Sequence, residues 1–120
     1  MTQAPEPRKR WFAVKGLFRW YRKKTRETIN IEERIVLIEA ADFDDAIQLA
    51  EQNAAIYCAK DKGANFQIEA MPWWNAYLIG DDPPTEGIEI YSRLIDTSLS
   101  ADAYVRRYYP KSQDRGNPNK

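Results

Sequence analysis

Residues 42–63, DFDDAIQLAEQNAAIYCAKDKG, decide the fold. Phe43, Ala46, Ile47, Ala50, Ala54, Tyr57 and Cys58 recur at three- and four-residue spacing. On an α-helix that spacing gathers them into one apolar stripe, with polar residues around the rest. Asp42 stands just before the first turn, where a carboxylate accepts free backbone N–H groups. Asp44 and Asp45 follow at the positive end of the helix dipole, and Lys60 and Lys62 come at the negative end. Gly63 supplies the left-handed residue that commonly terminates a helix. A helix that is apolar on one side needs a surface to lie on, and the flanking segments are patterned as strands.

Upstream, residues 11–22 alternate with period two. Phe12, Val14, Gly16, Phe18 and Trp20 fall on one face, and Lys15 and Arg19 fall on the other beside Ala13 and Leu17. Residues 29–40 predict a second strand. Its Ile35-Val36-Leu37-Ile38 core is apolar on both faces, which predicts a central strand covered on both sides. A hairpin joins the two, with Arg22-Lys23-Lys24-Thr25-Arg26 as its exposed basic turn.

Downstream, residues 66–79 predict an irregular third strand. Pro72 has no N–H to give a ladder, so a bulge, an edge or a break is expected there. Residues 80–87 are a loop by composition. Residues 88–95 predict a fourth strand, with Ile88, Ile90 and Leu94 inward and Glu89, Tyr91 and Arg93 outward. Ser100 reads as the N-cap of a short helix that stops at Pro110. The expected fold is α+β in the order ββαββ(α): a four-stranded antiparallel or mixed sheet with one long helix on one face. Its expected core is Phe12, Val14, Phe18, Val36, Ile38, Phe43, Ile47, Ala50, Ala54, Ile88 and Ile90.

At 120 residues the chain has the size of one domain, placed at residues 11–109. Residues 1–10 and 110–120 have too little apolar surface to offset the entropy of ordering and are expected to be disordered tails. The lone Cys58 cannot make an internal disulfide. No apolar run approaches the ~20 residues of a membrane helix. The first ten residues lack the apolar segment of a signal peptide. A cytoplasmic protein that does not enter the membrane is expected.

Four pieces of the chain carry a family likeness: Trp11-Phe12-Ala13-Val14, Glu32-Glu33-Arg34-Ile35-Val36-Leu37, the helix with Asp45-Ala46 and Ala50-Glu51, and Glu89-Ile90-Tyr91-Ser92-Arg93. In this order they resemble a bacterial family of small domains, domain of unknown function family 4288, over about residues 11–95. The resemblance implies a bacterial, cytoplasmic single-domain protein. It implies no activity, cofactor or catalytic residue. The basic turn, Trp73-Trp74 and both ends lie outside it.

The residues themselves argue against chemistry. There is no His, so nothing activates Cys58 or a Ser, and a zinc site lacks ligands. Glu32, Glu33, Glu39, Glu69 and Glu89 sit on predicted strands as outward groups or cross-strand partners of Arg34 and Arg93. The five glycines are scattered, so no phosphate-cradling loop is present. No catalytic site, cofactor or metal is expected, and the protein reads as a non-enzyme.

Charge points instead to binding. The net charge is zero, yet residues 1–30 carry nine basic and two acidic groups (+7), residues 31–102 four and fifteen (−11), and residues 103–120 five and one (+4). Leu17, Ile35, Leu37 and Tyr91 are expected on a second apolar sheet face, and Leu49 and Ile56 form a second ridge on the helix. Such a face needs a cover. Tyr104, Val105 and Tyr108 of the last helix supply one, and a second chain supplies another. The first reading is therefore a protein-interaction or regulatory domain. It self-associates as a homodimer in one version and is immunity- or antitoxin-like in another, its acidic body masking a basic partner. The alternative is nucleic-acid binding through the basic hairpin, with Lys15, Arg19, Arg22, Lys23, Lys24 and Arg26 on phosphates and Trp11, Trp20 and Tyr21 stacking on bases.

Overall fold

A computed structural model describes residues 8–110. The expected disorder of the two ends falls largely on residues outside this range. The elements are β1 (Arg10–Arg22), β2 (Thr28–Ala40), α1 (Phe43–Ala59), β3 (Phe66–Gly80) and α2 (Ala101–Tyr108). The fold is α+β, with, among the described residues, one antiparallel sheet of three strands in the order β2-β1-β3 and two helices.

Two corrections follow from this topology. Residues 88–95 are not a fourth strand: among the described residues they have no ladder partner, and the sheet has three strands. The period-two pattern is there, but a strand exists only when a neighbour takes its backbone groups. The central strand is β1, not β2. Residues 35–38 are apolar on both faces, and among the described elements only α1 packs on β2, so one of those faces is left without cover by them.

α1 packs on the face formed by Phe12, Val14, Phe18, Val36, Ile38, Ile68, Trp74, Ala76 and Leu78. Ala46, Ala50 and Ala54 are its buried residues. Small side chains at four-residue spacing let the helix approach the sheet closely. Asp42 caps it by accepting the Asp45 N–H at 2.7 Å, and the Asp45 carboxylate accepts the Ala41 N–H at 2.9 Å. The helix ends at Ala59, before Gly63. Lys60 is already extended, and the Lys62 ammonium donates to the Tyr57 carbonyl at 3.1 Å.

The core is smaller than the sequence suggests. Phe12, Val14, Phe18, Ala50 and Ala54 are buried, and Val36, Ile38 and Ile47 are half-buried against them. Phe43 is 47% exposed, although its ring meets Phe12 edge-on at 5.1 Å. Ile88 and Ile90 are exposed because the segment that carries them never joins the sheet. Pro72 sits in a bulge: the β1–β3 register runs from Gly16↔Trp74 to Phe18↔Ala70, so Met71, Pro72 and Trp73 stand opposite Leu17 alone. Among the described residues no helix is long and apolar enough to cross a membrane.

Candidate interaction surface

The sheet face away from α1 is built in rows by the two registers. Ala13 lies between Leu37 and Tyr77, Lys15 between Ile35 and Asn75, and Arg19 between Ile31 and Glu69, with Leu17 beside Glu33. Ile35 is 44% exposed and Leu37 48%, and Ile31 and Trp73 are equally open. Leu17 is half-buried on the central strand. Leu17, Ile35 and Leu37 therefore share one face, as the spacing predicts, and neither described helix lies over it.

The cations on this face are already partnered. The Lys15 ammonium meets Glu33 at 3.0 Å, and the Arg19 guanidinium meets Glu69 at 2.6 Å. Arg19 also donates to the Thr28 hydroxyl at 2.9 Å and to the Arg26 carbonyl at 3.0 Å. Arg19 and Arg26 lie over the Tyr21 ring at 4.3 and 4.8 Å, and Tyr21 is buried. In the turn Arg22 stands 4.0 Å from Glu27, Lys23 donates to the Gly63 carbonyl at 3.1 Å, and Lys24 is exposed. The basic strip thus divides: Arg22, Lys23, Lys24 and Arg26 cluster at the hairpin end, while Lys15 and Arg19 neutralise carboxylates. Trp20 is half-buried, and its indole N–H donates to Glu32 at 3.3 Å.

On the helix side, Glu32 points inward rather than out. It accepts the Tyr57 hydroxyl at 2.7 and 3.0 Å. Arg34 lies over the Tyr57 ring at 4.1 Å and donates to Asn53 at 3.0 Å. Arg34 thus pairs with the helix, not with a cross-strand carboxylate. Burial, and then the bond to Glu32, pushes the Tyr57 phenol from 10.0 up to about 12. This network escapes sequence reading because its members lie 19 to 25 positions apart. Cys58 is half-buried beside Ala54 and Ile68, and burial pushes its thiol up, away from the reactive thiolate.

Leu49 and Ile56 join Leu37 in a second feature. With Trp11, Ile38 and Asn53 they line a shallow groove of about 460 Å³. Leu37 and Ile38 point to opposite faces of β2, so the groove lies over the strand's own free edge. β2 presents 13 residues there with no Pro, Gly or Lys to discourage another strand.

Tyr91 is not on the sheet. It lies on the arm that follows β3, where its ring meets Tyr77 at 5.9 Å and Glu89 accepts the Tyr77 hydroxyl. Beyond it the arm leaves the domain. None of residues 81–110 is buried, and Leu94 is wholly exposed. α2 is capped by Ser100, which accepts the Ala103 N–H at 3.2 Å, yet it packs against no other element. Its Tyr104, Val105 and Tyr108 therefore do not cover Leu17, Ile35 and Leu37. The radius of gyration, 18.4 Å, exceeds the roughly 14 Å of a compact chain this long.

No family model, curated protein or solved structure matches this chain.

Proposed function

We propose that this protein works by protein–protein contact, as a small non-enzymatic adaptor or regulatory domain. The observation that carries the reading is the open sheet face. Ile31, Ile35, Leu37 and Trp73 stand exposed around half-buried Leu17. Several large apolar side chains left open on one face of a small domain, here interleaved with the Lys15–Glu33 and Arg19–Glu69 pairs, mark an interaction surface. The acidic-mask version has less support. Glu33 and Glu69 are spent on Lys15 and Arg19, Glu32 faces the helix, and Asp42 and Asp45 cap it.

The test is the size at which the tagged chain runs in a native extract of its own cells. We expect a species well above 14.0 kDa. We expect Ile35→Lys with Leu37→Lys to return it to monomer size while far-UV circular dichroism stays unchanged. A wild-type chain that runs as a bare monomer overturns the reading.

A further inference from the structure

Three parts of this chain have no strand or helix partner among the described residues, and they fit one another. The first is the free edge of β2 with its apolar groove at Leu37, Ile38, Leu49 and Ile56. The second is the arm segment 90–95, which alternates like a strand yet pairs with nothing. The third is α2, whose Tyr104, Val105 and Tyr108 form an apolar stripe at i, i+1 and i+4 that packs against no strand and no other helix, Tyr104 and Tyr108 meeting only Arg93 and Ile95 of the arm across a shallow cleft.

We infer that the arm is exchanged between two copies of this chain. Ile90–Ile95 of one copy adds as a strand to the free β2 edge of the other, and α2 then lies over that copy's open face at Leu17, Ile35 and Leu37. The inference rests on the interaction reading above and names the partner. Strand addition satisfies the backbone groups of both edge and arm, while alternate side chains enter pockets on either side. Ile90 and Leu94 turn into the groove with Ile38, Leu49 and Ile56. Tyr91, Arg93 and Ile95 then fall on the open face. Arg93 lands on the side that holds Glu33 and Glu39.

Charge agrees with this pairing. β2 carries Glu32, Glu33 and Glu39 against Arg34, a net of −2. Residues 90–109 carry Arg93, Arg106 and Arg107 against Asp96 and Asp102, a net of +1. Area agrees too. Residues 90–109 supply 20 residues per protomer, and about 20–30 residues a side make a stable interface of roughly 1,600 Å². The other sheet edge is a poorer acceptor, because the Pro72 bulge interrupts β3. The bond from Tyr77 to Glu89 holds the arm to its own domain, while Tyr91 gives up its ring contact with Tyr77 on exchange, so the crossing point lies just after Glu89.

The test uses the purified full-length chain. Sedimentation equilibrium should give twice 14.0 kDa. Leu94→Asp should weaken the dimer by roughly a hundredfold, since it buries an unpaired carboxylate. It should leave far-UV circular dichroism unchanged, because Leu94 touches nothing in its own fold. In a Cys58→Ser background, Leu94→Cys on one copy mixed with Ile56→Cys on another should give a disulfide-linked heterodimer on oxidation. A dimer that survives Leu94→Asp, or forms no such link, overturns arm exchange. A purified chain that is strictly monomeric overturns self-pairing; if it still runs large in a native extract, the interaction reading survives with a different partner. If it is monomeric in both, both readings fail.

Discussion

The indole of Trp74 packs directly over the backbone of Gly16, its partner in the β1–β3 register. A Cβ on Gly16 would stand 2.9 Å from Cε3 of that ring and closer still to Cζ3. Trp74 also joins the two buried clusters, touching the Phe12–Val14 group and the Phe18–Ile68 group, with its ring edge-on to Phe18 at 6.1 Å. The absent side chain at position 16 is what lets one residue bridge both halves of the core.

Gly16→Ala should therefore destabilise the fold by about 1–3 kcal/mol, the usual range for overpacking. Thermal unfolding should shift by several degrees, at roughly 4–8 °C per kcal/mol for a domain this size. Gly16→Ala combined with Trp74→Leu should cost less than the sum of the two single changes. Strict additivity would show that the two residues do not compete for space.

Asp42→Ala should cost about 1 kcal/mol, because it strips the acceptor from the Asp45 N–H at the start of α1. Asp42→Ser should recover most of that loss. Urea unfolding of the three proteins measures both. Equal stability of the Ala and Ser variants would show that the side chain at position 42 does not cap α1.

The raised Tyr57 phenol gives the fold an alkaline limit. Its folded value of about 12 lies above the ordinary 10.0, so between these the unfolded chain has released the proton and the folded one still holds it. The contribution is complete below pH 10 and declines as pH rises toward 12. Tyr57→Phe should flatten that part of the profile. It should also lose roughly 1 kcal/mol near neutral pH, by leaving Glu32 short of a donor. A chemical-unfolding series across alkaline pH reads both effects, and an unchanged slope in the variant rejects the assignment.

Arg22, Lys23, Lys24 and Arg26 are the cations that the nucleic-acid alternative still has to work with. Because Lys15 and Arg19 already meet carboxylates, the expected outcome is no salt-dependent association of the wild-type chain with DNA or RNA at low ionic strength. Four phosphate contacts would instead give a slope of log affinity on log salt near −3, at roughly −0.7 to −0.9 per contact. Such a slope, abolished when all four residues become Ser, would restore nucleic acid as the partner.

What the sequence alone determined are the relations that close within a few residues. The Ala46, Ala50 and Ala54 stripe, the Asp42 cap, the Phe12, Val14 and Phe18 alternation and the irregularity at Pro72 follow from backbone periodicity or a missing N–H, and each is visible in a short window. The shared face of Leu17, Ile35 and Leu37 was also legible, because strand parity sets it once a hairpin is assumed. Tertiary structure alone decided which strand is central, that Trp74 settles over Gly16 58 positions away, and that Glu32 turns inward to Tyr57. It also decided the fate of residues 88–95. Their pattern states which side chains share a face, but a strand also needs a neighbour's backbone. Whether one is available depends on how distant segments meet, and local periodicity carries no information about that. The same limit explains β2: residues 35–38 announce that both faces need cover, and only the assembled sheet reveals that the described elements cover just one of them.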